Sequence, residues 1–161
     1  MRSSILFFPP LFVFFILSGC ATTEKKAAQM AELSANITDA LNNRDYKIGI
    51  VRMCPMKGSC RHVSYGYSVE VRNVTLISYL PYFGRAYNVP YGGGKGLNFT
   101  APIASYQEFM KRNGLRHIEI GVINDEDTYL YTIEVFDNGN SSVDVRVRQR
   151  ERISYSGNVE L

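Results

Sequence analysis

From Tyr46 onward apolar and polar residues alternate. Val63, Tyr65, Tyr67, Val69 and Val71 take every second position, with His62, Ser64, Gly66, Ser68, Glu70 and Arg72 between them. Successive strand side chains point to opposite faces, so this pattern predicts one long strand with a buried face and a wet face. Tyr46–Met53 reads as the strand before it and Val74–Leu80 as the strand after it. Gly96–Phe99, Ile118–Ile123, Tyr129–Phe136, Val143–Val147 and Ile153–Tyr155 follow, while Ser105–Arg112 admits a helical turn instead. Asp137-Asn138-Gly139 is a tight hairpin signal, because a two-residue turn needs left-handed backbone that Asn and Gly tolerate. Asn124-Asp125-Glu126-Asp127 reads as another hairpin turn. Seven to nine short antiparallel strands predict a mainly β domain, either a small barrel or a sandwich.

Two segments before Tyr46 follow other rules. Met30, Leu33, Ile37, Ala40 and Leu41 fall at helical spacing within Ala21–Asn43, predicting one amphipathic helix stopped by Asn42-Asn43. That helix is expected to pack on the domain, with a partner-binding or dimerising helix as the alternative. Ile5–Leu17 is a 13-residue apolar run. A spanning helix needs about 20 apolar residues, so the run reads as the core of a signal peptide. Leu17-Ser18-Gly19-Cys20 follows directly and is similar to the lipobox of bacterial lipoproteins, in which the thiol of Cys20 would be acylated and the chain cut before it. The expected organisation is a signal peptide over 1–19, a lipid-anchored tether and helix over 20–44, and a β domain over 45–161.

Charge then narrows the partners. Without the first 19 residues the chain keeps 17 basic and 15 acidic side chains, and that near-neutrality argues against a nucleic-acid binder. The balance of apolar and charged residues argues against global disorder.

Three blocks carry a family resemblance: Ser78-Tyr79-Leu80-Pro81-Tyr82-Phe83-Gly84-Arg85-Ala86-Tyr87, Phe136-Asp137-Asn138-Gly139, and Ile153-Ser154-Tyr155-Ser156-Gly157. From roughly Tyr46 to the C-terminus the chain resembles an uncharacterised Bacteroidetes lipoprotein family, the domain of unknown function DUF4251. The resemblance implies a lipid anchor and an extracytoplasmic domain. It supplies no catalytic residue.

Chemistry-bearing residues are few. Cys54 and Cys60 join two predicted strands and, in an oxidising periplasm, read as a disulfide. Adding His62, with His117 as a fourth ligand, would make a zinc site, but zinc sites use tighter cysteine spacing, so no metal or other cofactor is expected. Asp144, Arg146, Arg148, Arg150 and Arg152 would form one cationic ridge if the last strands ran unbroken. The alternative pairs them with Glu70, Glu119 or Glu134 on neighbouring strands. Tyr82, Arg85, Tyr87, Tyr91 and Lys95 cluster around prolines and the Gly92–Gly94 run, and form the candidate ligand site, since loops on a rigid scaffold carry recognition residues. Packing of these tyrosines at the mouth of the β domain is the competing reading. Gly-x-Ser-x-Gly and His-Glu-x-x-His are both absent. The expected role is therefore non-enzymatic: an outer-membrane, periplasm-facing lipoprotein held by its acyl chains, binding a small ligand, glycan, lipid or envelope protein. A structural or assembly accessory of the envelope is the runner-up, and an unrecognised hydrolase the third reading.

Overall fold

The computed structural model describes residues 21–64, 66–87, 95–111 and 114–161. One helix, α1 (Ala21–Asn42), precedes nine strands: β1 (Asp45–Pro55), β2 (Arg61–His62), β3 (Ser68–Arg72), β4 (Thr75–Leu80), β5 (Leu97–Met110), β6 (Arg116–Ile123), β7 (Thr128–Val135), β8 (Asn140–Val147) and β9 (Arg150–Glu160). Neighbours in sequence pair antiparallel from β3 to β9, and β1 closes the ring by pairing β3 on one edge and β9 on the other. The result is an eight-stranded up-and-down barrel, with β2 added along the far half of β1. Among the described residues closure leaves no long unpaired edge, the usual hazard of an open sheet.

Period two sets which side chains fill the barrel. Ile48 and Ile50 on β1, Val69 and Val71 on β3, and Leu76, Ser78 and Leu80 on β4 all point inward and are buried. Ile118, Ile120 and Val122 answer from β6, and Tyr129, Tyr131, Ile133 and Val135 from β7. The interior is thus a packed core. Where strands crowd at the seam, Gly157 lies so close to Gly49 that an added Cβ would run into the Gly49 carbonyl oxygen. Only glycine fits there, which explains the last block of the resemblance.

Both ends of the barrel are covered. At the lower end, where β1 begins, α1 packs through Leu33, Ile37, Ala40 and Leu41, with the Ile37 side chain beside Gly139 in the β7–β8 hairpin. Residues 24–32 are exposed, so that part of α1 stands clear of the barrel, and the packed helix residues begin at Leu33. At the upper end the β4–β5 connection crosses the mouth. Tyr155 donates its hydroxyl to the Pro81 carbonyl at 2.7 Å, Ala86 bridges to Arg150, and Tyr87 N–H donates to the Gln149 carbonyl at 2.7 Å. The Leu80–Tyr87 block of the resemblance is this strap.

Three expectations need correction. The strand expected over His62–Arg72 is split into β2 and β3, because the backbone turns at Gly66 with φ +110°. Ser105–Met110 is strand and not a helical turn: β5 runs on to Met110, with a bulge between Ile103 and Ser105 that accommodates the curvature, while Arg112 lies outside the described residues. The arginine ridge does not exist as one strand face, because the chain turns at Arg148 and Gln149 between β8 and β9. Of the two architectures expected, the barrel is the one formed.

Candidate binding surface

With the barrel interior filled by side chains, recognition surfaces lie outside it. The upper rim offers the most developed one. Between the β1–β2 hairpin and the strap run two adjoining recesses of about 230 and 300 Å3, which share Met53, Arg61 and Phe83. Pro55, Val63, Tyr67 and Pro81 supply further apolar lining, and Lys57 and His62 add polar nitrogen. Neither recess has a carboxylate among its lining residues. The Arg61 guanidinium stands 5.7 Å from the centre of the Phe83 ring, a cation–π arrangement that holds both side chains across the groove. Cys54 and Cys60 are joined by a disulfide, which closes the loop carrying Lys57 and so forms one wall.

The residues expected to bind ligand are dispersed by this architecture. The Tyr82 hydroxyl lies 2.9 Å from the Arg85 carbonyl and 3.0 Å from that of Glu151, and burial raises its pKa. Its ring also takes the Arg150 guanidinium at 5.4 Å, so it ties the strap to β9. Arg85 and Tyr87 are exposed on the strap. Lys95 turns to the opposite side of the mouth, its N–H donating to the Glu126 carboxylate at 2.9 and 3.0 Å and its ammonium 3.4 Å from Asp125. Tyr91 and Cys20 lie outside the described residues. Arg61 and Lys57 escaped the sequence reading because only the strap, crossing the mouth, brings Phe83 beside the disulfide loop. The available signal was the cations around Cys54 and Cys60.

Other clusters are engaged elsewhere. On the outer face of β7 to β9 a recess of about 280 Å3 holds two carboxylates, Glu134 and Asp144. The hydrogen bond from Lys111 holds Glu134 below the usual carboxylate range, with His117 acting in the same direction. That is the reverse of the raised pKa a general acid needs. Asp144 accepts from Arg152 Nε at 2.6 Å and from Ser154 Oγ at 2.8 Å, and lies 3.8 Å from Arg146. The acid that faces these arginines is thus Asp144 itself. Glu70 instead pairs Arg72, and Glu119 and Glu134 flank His117. His62 sits at the upper end on β2 and His117 at the lower end on β6, so the four-ligand zinc set is not assembled. Among the described residues no group of three or more His, Cys, Asp or Glu side chains is placed to hold a metal ion. No described helix is long and apolar enough to cross a membrane.

The fold and its rim define a class: a closed up-and-down barrel, capped by a helix below and a strap above. The family model for a domain of unknown function, DUF4251, matches residues 28–159, and the chain belongs to that family. The match begins inside α1, earlier than the Tyr46 expected from the blocks. Among solved structures the chain is similar to the crystal structure of a DUF4251 family protein from Bacteroides eggerthii DSM 20697, with a TM-score of 0.63 and 14% sequence identity. That similarity covers 82% of this chain and 89% of the other. No curated protein matches the chain.

Proposed function

We propose that this chain is a lipid-anchored, periplasm-facing lipoprotein of the outer membrane that binds an anionic, partly apolar ligand in the upper rim groove without chemically altering it. The observation that carries the reading is the groove lining: Phe83, Met53, Val63 and Pro81 beside Arg61 and Lys57, with no carboxylate among them. Exposed cations next to an apolar wall favour a ligand with one anionic group and one apolar part. The anchor rests on Leu17-Ser18-Gly19-Cys20, and the inner-leaflet placement on Glu24-Lys25-Lys26, one acid followed by two bases rather than an acidic run after the cysteine.

The groove is tested by titrating 15N-labelled protein with monomeric dihexanoyl phosphatidylglycerol, using the phosphatidylcholine analogue as comparison. The expected result is saturable shifts at Met53, Arg61 and Phe83 with the anionic amphiphile, lost in Arg61→Ser. Shifts spread evenly over the barrel, or equal with both lipids, would overturn the reading. The sealed interior favours a second one, a structural accessory of the envelope that takes no small ligand.

A further inference from the structure

We infer that the upper end of the barrel is a docking surface for an anionic lipid bilayer, with Met56 and Phe83 entering the headgroup layer and Lys57, Arg61 and Arg85 meeting lipid phosphates. The inference rests on the rim-groove reading and names the source of its anionic ligand. Three observations carry it.

First, large apolar side chains stand exposed on connections at this end: Met56 at 67% on the disulfide loop, and Phe83 at 54% and Tyr87 at 69% on the strap. Scattered exposed apolar residues are normal on any surface. Here each has a cation beside it: Lys57 follows Met56, Arg61 stacks on Phe83, and Arg85 lies between Phe83 and Tyr87 in the chain. Alternating apolar and cationic groups suit the layer where acyl chains meet phosphates, because the long basic side chains keep their charge at headgroup level.

Second, the charge is available. Among the described residues Lys57, Arg61 and Arg85 enter no ion pair. Glu151, the acid nearest the strap, accepts the Arg85 backbone N–H at 3.2 Å, and the acids of the β6–β7 turn lie across the mouth with Lys95. The lower end also exposes Phe109, Met110 and Phe136, but there Lys111 is paired with Glu134 and Arg116 with Glu108. An acidic protein would account for the cations and leave Met56 and Phe83 unexplained.

Third, α1 leaves from the opposite end. Its exposed residues 24–32 form a stalk of about 14 Å at 1.5 Å per residue. The cationic rim lies at the end of the barrel opposite the one that α1 covers, so the helix does not shield it from a bilayer.

The test uses the chain from Ala21 on, which keeps all of α1 and the barrel and has no acyl group to confound binding. Sedimentation with phosphatidylglycerol vesicles is expected to pellet the protein, raised salt to release it, and phosphatidylcholine vesicles to leave it in solution. Each basic side chain near an anionic surface contributes about fivefold to partitioning, so Lys57→Ser with Arg61→Ser should lower it about 25-fold. Phe83→Ser should weaken it with an unchanged melting temperature, since the ring is half exposed. Equal binding to both vesicle types, indifference to these substitutions, or loss on Phe109→Ser and Met110→Ser instead would overturn the inference. If vesicles fail to bind while soluble dihexanoyl phosphatidylglycerol still shifts Arg61 and Phe83, the groove reading stands and the bilayer is excluded. If both fail, both fall.

Discussion

The hydroxyl of Tyr131 on β7 donates to Ser78 Oγ on β4 at 2.9 Å, and Ser78 donates onward to the Leu97 carbonyl at 2.7 Å. Two strands, β5 and β6, separate β4 from β7 on the shorter side of the ring, so this chain spans the core and occupies two inward polar groups that burial would otherwise leave unsatisfied. Removing one partner strands the other in an apolar interior, which costs about 1–3 kcal/mol. Ser78→Ala should therefore lower unfolding free energy by that amount in urea titrations. Ser78→Ala combined with Tyr131→Phe should be less destabilising than the sum of the two single changes. Strict additivity would mean that the hydroxyls do not depend on each other.

Burial also governs behaviour at high pH. Desolvation raises the pKa of Tyr46, Tyr131 and Tyr155, with the Tyr46 phenol further raised by Tyr106. An unfolded tyrosine ionises near pH 10. The folded state holds these phenols neutral, so their linkage contribution is fully present below about pH 10 and is lost as pH rises toward the elevated folded values. Absorbance at 295 nm should show the phenols of Tyr46, Tyr131 and Tyr155 ionising only together with loss of β-sheet circular dichroism. Reversible ionisation of every tyrosine near pH 10 in an intact barrel would contradict the packing.

The strap makes the two readings of its tyrosines separable. Tyr82 and Tyr155 fasten it through hydroxyls, whereas the Tyr87 side chain is largely in solvent. Tyr155→Phe should cost about 1 kcal/mol, the net worth of one hydrogen bond. Tyr82→Ala should cost more, because it removes a part-buried ring as well, while Tyr87→Ala should stay within about 0.5 kcal/mol. Thermal melts of the three variants check the order. A strongly destabilising Tyr87→Ala would place that ring in the strap's packing.

Much of the barrel was legible in the sequence. Every second residue of Val69–Val71, Tyr129–Val135 and Val143–Val147 does face the core, because strand geometry forces alternation whatever the topology. Closure was not legible: β1 meets β9 through pairs such as Lys47 with Glu160, and no local pattern encodes such a distant register. The split at Gly66 and the turn at Arg148 were hidden because alternation continues through both. For the same reason an arginine ridge could be read from spacing alone. Of the candidate site, the strap was visible as a Tyr- and Pro-rich block, but its path over the mouth depends on Tyr155 and Arg150, far along the chain. Arg61 and Phe83 therefore could not be paired in advance.

The anchor has its own test. Complete Leu17-Ser18-Gly19-Cys20 chemistry requires the Cys20 thiol, so Cys20→Ala should leave an uncut precursor or release protein from membranes. Intact mass of the wild-type protein should show a chain starting at Cys20 with acyl groups attached. Two or three acyl chains hold a protein on a bilayer stably, whereas a single chain binds reversibly. Wild-type protein that is soluble and lacks acyl mass would remove the anchor, and protease shaving of intact cells decides which face of the outer membrane it occupies.

The Cys54–Cys60 bond should matter to the groove more than to the barrel. It closes a loop with a sequence separation of six, so its contribution through chain entropy is small, about 2 kcal/mol. Its local role is larger. β2 is held to β1 by only two register pairs, Arg52 with His62 and Met53 with Arg61, plus the Val63 N–H bond to the Val51 carbonyl at 3.2 Å. Without the bond, the short hairpin carrying Arg61 loses the constraint that keeps it beside Phe83. Non-reducing peptide mass spectrometry should recover Cys54 linked to Cys60. In the Cys54→Ser, Cys60→Ser protein the amides of Arg61 to Val63 should exchange with deuterium far faster, while those of Tyr131 and Val145 stay protected. Ligand shifts at Phe83 should weaken in parallel with that local opening. Unchanged exchange at Val63 would show that strand pairing alone holds the hairpin, and the groove wall would then owe nothing to the disulfide.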